Sequence, residues 1–292
     1  MRILIFGASG TVGSELYKVF SDSINSGNSG VEVYGTWLKN KPSEYKDGNW
    51  IQWNVEDSAT QILEDIKPDL IISSLRGDVV KQSTAHRQMA DYLSKKEVAP
   101  PLGGRMVFIS TGNVFDGDVR GNHLESALPY PFSSYGSFKH SCEELLLYKL
   151  NSRCLIVRLP KIIAKSSIPE MQEYYKNNCA YSNVYFNYNT AINVANAIKY
   201  AVDTNTSGIL HLPSSDYMSD EEFVTHVCGT IESKTLTIEA LCEMYKNSEI
   251  SKMRTTDDGN IYLTLATNHE VAQKFTLSCK DVIKATFDST IL

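Results

Sequence analysis

Tyr135 and Lys139 stand four residues apart in the run Tyr135-Gly136-Ser137-Phe138-Lys139. On a helix that spacing puts the phenol and the ammonium on one face. An unperturbed phenol, with a pKa of about 10, exchanges protons poorly near neutrality. A cation beside it favours the phenolate and makes proton donation practical at ordinary pH. A hydroxyl pair, Ser110-Thr111, precedes them at the end of the apolar run Met106–Ser110. Thr111 is the expected hydrogen-bond donor to a carbonyl oxygen as negative charge develops on it, with Ser110 as the rival for that role. The three groups outline carbonyl chemistry with Tyr135 as the acid.

A second constellation lies at the start of the chain. Gly7-Ala8-Ser9-Gly10-Thr11-Val12-Gly13 follows a short apolar strand and opens a helical pattern. Glycines at these points permit a tight turn and a close backbone approach to a pyrophosphate, and the helix N-terminus offers its free N–H groups to the phosphates. Gly7, Ser9, Gly10, Thr11, Val12 and Gly13 are therefore the expected cofactor cradle, with Lys139 placed to hydrogen-bond the cofactor ribose. Specificity for the ribose 2′ position is set after the second strand, which reads Tyr34-Gly35-Thr36-Trp37-Leu38-Lys39-Asn40-Lys41. It carries no acid to hold a free 2′-hydroxyl, whereas Thr36 with Lys39 or Lys41 suits a 2′-phosphate. NADPH is favoured and NADH stays open.

These groups need a scaffold that brings strand ends together. Apolar runs read as strands at Ile3–Phe6, Val31–Thr36, Ile51–Asn54, Leu70–Ile72, Met106–Ser110, Cys154–Leu159 and Gly208–Leu212. Helical spacing appears after Gly10 through Val12, Leu16, Val19 and Phe20, and at Ala59–Ile66, Val79–Lys95, Ser134–Leu150, Thr190–Val202 and Asp220–Ile231. Ser21–Gly30 reads as a loop, and Pro100, Pro101, Gly103 and Gly104 break the chain before the fifth strand. Strand–helix alternation of this kind predicts an α/β fold: a Rossmann-like, doubly wound parallel sheet with a smaller C-terminal substrate lobe. Residues 1–160 form the expected NAD(P)-binding domain. Residues 161–292 supply mainly the substrate lobe, with some elements returning to the sheet. Ser214–Leu292 carries no interpretable motif.

Composition narrows the partners. A net charge of −6 and a pI of about 5.6 lack the basic footprint of a nucleic-acid binder. No apolar run is long enough to cross a bilayer, and the N-terminal one stops at Gly7, short of a signal-peptide core. The six cysteines are scattered without CxxC spacing, which together with the missing signal implies reduced thiols in the cytoplasm. The histidines form no metal-ligand pattern, so no metal is expected.

With these residues in view, the chain resembles the extended short-chain dehydrogenase/reductases, in particular the dTDP-4-dehydrorhamnose reductases. Ser110-Thr111-Gly112-Asn113-Val114-Phe115-Asp116-Gly117 is similar to that family's S-T-x-x-V-F-D-G segment, and Pro129-Tyr130-Pro131 through Tyr135-Gly136, Lys139 and Glu143-Glu144 to its P-x-x-x-Y-G-x-x-K-x-x-x-E stretch. Ile66–Ile72, Val157-Arg158-Leu159-Pro160 and Gly208–Leu212 are similar to family strands, and the likeness fades after about residue 215. The resemblance implies NAD(P)H-dependent reduction of a 4-keto-6-deoxy sugar nucleotide. Tyr135 protonates the new alkoxide, Lys139 holds the ribose and tunes Tyr135, and Thr111 orients the carbonyl.

Asn54, with Val55 beside it, stands where relatives carry an Asp near the adenine. Ser73-Ser74-Leu75-Arg76 replaces a small N-A-A-A run against the cofactor. Arg76, Asn113, Tyr130 and Asn193 are the expected substrate contacts. Dehydratase relatives place an Asp-Glu pair after the threonine, where this chain has Gly112-Asn113, so dehydration is not expected. A sugar-nucleotide 4-epimerase stays open. So does a non-catalytic NADP-binding subunit resembling the beta subunit of methionine adenosyltransferase, and so does a homodimer.

Overall fold

The computed structural model describes residues 1–25, 30–39, 49–95 and 104–287. Lys41, Pro100, Pro101 and Gly103, singled out above, lie outside them. The chain runs β1 (Arg2–Phe6), α1 (Thr11–Asn25), β2 (Glu32–Trp37), β3 (Trp50–Gln52), α2 (Ala59–Ile66), β4 (Leu70–Ser73), α3 (Val79–Lys95), β5 (Arg105–Thr111), α4 (Ser134–Leu150) and β6 (Cys154–Leu159). It continues through β7 (Lys161–Ile163), α5 (Ile168–Tyr175), β8 (Ala180–Tyr181), β9 (Val184–Phe186), β10 (Tyr188–Thr190), α6 (Ala191–Asp203) and β11 (Gly208–His211). Last come β12 (Met218–Ser219), α7 (Asp220–Cys228), β13 (Ser233–Lys234), α8 (Ile238–Met244), β14 (Ile261–Leu263), α9 (Glu270–Lys274) and α10 (Cys279–Phe287).

Seven strands form one sheet in the order β11-β6-β5-β4-β1-β2-β3, with β3-β2-β1-β4-β5 paired in parallel. The chain winds outward from β1 in one direction and then restarts at β4 in the other. The crevice beyond the carboxyl ends of β1 and β4 is therefore the switch point where such sheets take ligands. This is the expected Rossmann-like α/β architecture. Ile3–Phe6 and Leu70–Ser73 are buried throughout, as strands covered on both faces require. Helix α1 continues to Asn25, through the first half of the segment read from composition as a loop. Helix α2 is capped at both ends: the Ser58 side chain accepts from the Thr60 N–H, and Lys67, in the left-handed region at φ 55°, donates its N–H to Leu63.

By compactness the chain divides into two interleaved units. The first comprises Met1–Ser110, Ser141–Val157 and Val194–Ile209. Its α1 packs tightly on β2: a Cβ on Gly35 would stand 2.9 Å from Ala8 Cβ and from the Tyr17 ring.

The second unit comprises Thr111–His140, Arg158–Asn193 and Leu210–Leu292. It holds β10-β7, β12-β9-β14 and β13-β8, each of two or three short strands. One core gathers Tyr188, Phe223, Val224 and Val282, and another Val119, Val184, Leu241 and Ile261. Buried asparagines stitch its strands: Asn183 bridges Leu236 and Gly259, and Asn187 bridges Ser214, Asp216 and Leu265. Among the described residues no helix is long and apolar enough to cross a membrane, and no cluster of three His, Cys, Asp or Glu side chains could hold a metal ion.

Candidate functional site

In the first unit, β1 ends in a turn that only glycine fits. Gly7 has φ +76°, and a Cβ there would lie 2.9 Å from the Ser74 carbonyl. Gly10 donates its N–H to the Gly7 carbonyl at 3.0 Å and starts α1. A Cβ on Gly13 would fall 2.1 Å from that same carbonyl, so the helix presses directly on the turn. Ser9 and Gly10 are exposed, Thr11 is half-buried, and Val12 and Gly13 are buried against the sheet. The first turn of α1 carries no acid to repel an anion. The exposed turn, the free amides of a helix start and the positive dipole end fit a pyrophosphate.

Thr36 is engaged with the turn itself. It is 2% exposed and its hydroxyl accepts the Gly7 N–H at 2.9 Å. Its side chain braces the turn from below, and Lys39 is exposed, a candidate for a 2′-phosphate among the described residues. Asn54 caps its own loop, accepting from the Glu56 N–H through Oδ1, and Val55 beside it is half-buried.

At the end of β4, Ser73 is engaged as well. Its hydroxyl is buried and bonded to His86 Nε2 at 2.8 Å, and Cys142 Sγ stands 3.8 Å from the other ring nitrogen. Ser74 donates to the Phe6 and Gly7 carbonyls, which pins β4 to the glycine turn. Leu75 is buried, and Arg76 is exposed beyond it.

At the end of β5 the two hydroxyls differ in burial. Ser110 is buried and donates to the buried Glu143 carboxylate at 2.5 Å. Thr111 is half-buried and stands at the head of the second unit. In that unit α4 carries Tyr135, 42% exposed, and Lys139, 3% exposed. The Lys139 ammonium lies 6.0 Å from the Tyr135 ring centroid. The phenol and the ammonium share one face of α4, as their i,i+4 spacing implied.

Three of the expected substrate contacts have other engagements. Asn113 accepts the Thr111 hydroxyl on Oδ1 at 2.9 Å and donates its backbone N–H to Thr111 Oγ1 at 3.2 Å. Asn193 donates to Asn189 Oδ1 at 2.9 Å and to the Phe275 carbonyl at 2.7 Å, which makes it a tie between segments. Tyr130 donates its hydroxyl to the Lys252 carbonyl at 2.8 Å and lies under the Arg254 guanidinium, 4.1 Å from its ring centroid.

Sequence reading missed Asp116 and Ser133. Asp116 is buried and accepts from the Phe132 N–H at 2.5 Å, the Ser133 N–H at 3.1 Å and the Ser133 hydroxyl. Burial holds its carboxyl above the usual carboxylate range, against the hydrogen bonds that pull it down. Ser133 in turn accepts the Gly136 N–H at 3.0 Å and so caps α4. The available signal was a serine just before a helix, three residues ahead of Gly136.

A family model described as the RmlD substrate binding domain matches residues 1–257. Methionine adenosyltransferase 2 subunit beta from Xenopus laevis is 26% identical over 165 residues, which cover 54% of this chain and 46% of that one. A dTDP-4-dehydrorhamnose reductase from Aggregatibacter actinomycetemcomitans is 28% identical over 165 residues, 54% of this chain and 50% of its own. The chain thus spans about half the length of the curated relatives it matches. A crystal structure of dTDP-4-dehydrorhamnose reductase from Bacillus anthracis in complex with NADP superposes with a TM-score of 0.69 at 16% identity, covering 98% of both chains. That likeness establishes the fold.

Proposed function

We propose, from the premise that the chain belongs to the RmlD substrate binding domain family, that it is a reductase of 4-keto-6-deoxy sugar nucleotides that uses NADPH. The observation that carries this reading is the buried Lys139 ammonium set 6.0 Å from the ring of the exposed Tyr135 on one helix. Bound reduced nicotinamide supplies the hydride. The Gly7–Gly13 turn and the start of α1 would hold the pyrophosphate, and Lys39 the 2′-phosphate, with NADH as the alternative cofactor.

Tyr135 gives its phenolic proton to the substrate oxygen as that oxygen becomes an alkoxide. Lys139 lies beside the phenolate this leaves and stabilises it by charge. The Thr111 hydroxyl turns from Asn113 to the substrate oxygen and fixes the carbonyl in register with Tyr135. Arg76, exposed past β4, is a cation available to a phosphate or hydroxyl of the sugar nucleotide.

The test is oxidation of NADPH followed by absorbance against dTDP-, UDP- and GDP-linked 4-keto-6-deoxy sugars. Turnover with one of them supports the reading; a purified, cofactor-binding protein that oxidises NADPH with none of them overturns it. The likeness to a methionine adenosyltransferase beta subunit favours one second reading, a non-catalytic partner subunit. Tight NADPH binding without turnover, together with a co-purifying protein, would select it.

A further inference from the structure

The end of β5 and the start of α4 are separated by more than twenty residues of chain, yet one carboxylate joins them. We propose that Asp116 is a positioning residue that registers the Thr111 hydroxyl with the helix turn bearing Tyr135. The inference rests on the roles just given to Thr111 and Tyr135. All of its members lie in the second unit.

The relay can be followed atom by atom. The Thr111 hydroxyl donates to Asn113 Oδ1 at 2.9 Å. The Asn113 backbone N–H donates to Thr111 Oγ1 at 3.2 Å, and the Asp116 backbone N–H donates to the Asn113 carbonyl at 3.2 Å. Asp116 takes the Ser133 hydroxyl on its Oδ2 and the N–H groups of Phe132 and Ser133 on its Oδ1. The Ser133 oxygen accepts the Gly136 N–H at 3.0 Å, inside the first turn of α4 and one residue beyond Tyr135. Asp116 and Ser133 are both buried, so water cannot replace these bonds at low cost.

The chemistry of an ionised carboxylate gives this relay its direction. It only accepts hydrogen bonds. The Ser133 hydroxyl must therefore point its proton at Asp116, which leaves its lone pairs for Gly136. On the other flank, the Asn113 backbone N–H holds Thr111 Oγ1 whichever way the threonine proton points, so that link survives when Thr111 turns to the substrate. Gly136 completes the fit. A Cβ there would stand 2.2 Å from the Asn113 carbonyl and 3.1 Å from Asp116 Oδ2, so the turn after Thr111 and the start of α4 meet backbone to backbone.

The mechanism asks Thr111 and Tyr135 to meet one substrate oxygen. Misplacement by about 1 Å can cost on the order of 100-fold in rate. Asp116→Asn replaces an acceptor oxygen with an NH2 group and leaves the Ser133 proton unmatched. Ser133→Ala cuts the helix arm alone, and Ser133→Thr restores the hydroxyl.

The test measures NADPH affinity, substrate KM and kcat for these three variants beside wild type, with amide exchange at Gly136 followed by NMR. In D116N and S133A, kcat should fall by about 10–100-fold, while NADPH affinity and KM stay within about threefold. S133T should recover most of the lost rate. Equal losses in affinity, KM and kcat would mark a merely structural role and overturn the proposal, as would unchanged kcat in S133A. If wild type turns over no sugar nucleotide, the functional reading fails on its own, and exchange then judges the relay. At least tenfold faster exchange at Gly136 in S133A, with α3 unchanged, supports it; unchanged exchange at Gly136 overturns it.

Discussion

Gly13→Ala is the most informative single change in the proposed cofactor cradle. The added methyl carbon would stand 2.1 Å from the Gly7 carbonyl oxygen, 2.8 Å from Ala8 Cα and 2.8 Å from Ser74 Oγ. Two of those atoms are backbone, so no side-chain rotation relieves the contact, and the turn must open away from the helix. Overpacking of this kind costs about 1–3 kcal/mol, and a clash between backbones belongs at the upper end. If ligand binding requires the closed turn, its apparent affinity falls by the fraction of molecules still closed. About 3 kcal/mol then corresponds to roughly 100-fold weaker NADPH binding.

The assay is a fluorescence titration with NADPH, paired with thermal unfolding to verify that the variant is folded. Gly259→Ala serves as the control. That residue, unlike Gly13, has positive φ (+74°), and it has nothing within 4 Å of its Cβ position, so the change should cost some stability without altering affinity. A folded Gly13→Ala protein that binds NADPH within threefold of wild type would refute the reasoning.

Further outcomes follow from the same geometry. Lys139→Met should weaken NADPH binding and lower kcat together, as measured by titration and steady-state kinetics; an unchanged affinity would remove the ribose contact. Thr111→Val should reduce kcat by about 100-fold through loss of a transition-state hydrogen bond. Ser110→Ala should instead lower the melting temperature, with kcat within about threefold, because its hydroxyl serves buried Glu143. His211 is buried beside the Arg158 guanidinium, with Nε2 at 3.3 Å, and its Nδ1 donates to the Ala266 carbonyl. Burial first and Arg158 second push its pKa down from 6.5 to about 4, although Glu125 pulls the other way. The unfolded chain therefore binds the extra proton between those values, so this contribution is present above pH 6.5 and is lost as pH falls toward 4. Denaturation midpoints measured across that window should show the slope, and His211→Gln should flatten it.

The sheet was legible because its strands are continuous apolar runs and its helices are amphipathic, both local signals. Leu70–Ile72 and Ala59–Ile66 needed no distant partner to be read. The Tyr135–Lys139 pair was legible for the same reason, since i,i+4 spacing is a property of the helix alone. The side-chain partners that went unread lie at contacts distant in sequence. Thr36 points back to Gly7, Ser73 to His86, and Asn193 to Phe275. A sequence names the donor but not the direction in which it faces.

The second unit was opaque for a related reason. Its strands are two or three residues long and pair across large separations, as when Val119 donates to the Arg254 carbonyl and Leu265 to Asn187. Such elements are too short to show a period. Asp116 was hidden in another way. An acid within an apolar segment reads as a surface break, and only the converging donors of Phe132 and Ser133 reveal a buried hub.

The central claim is that the phenol of Tyr135 delivers a proton to a carbonyl oxygen during nicotinamide-dependent reduction. Rapid mixing of NADPH-loaded protein with the best 4-keto sugar nucleotide, for wild type and Tyr135→Phe, tests it directly. The expected result is a single turnover slowed by about 100-fold or more in the variant, with NADPH bound equally well by both proteins. Equal single-turnover rates in the two proteins would contradict the account.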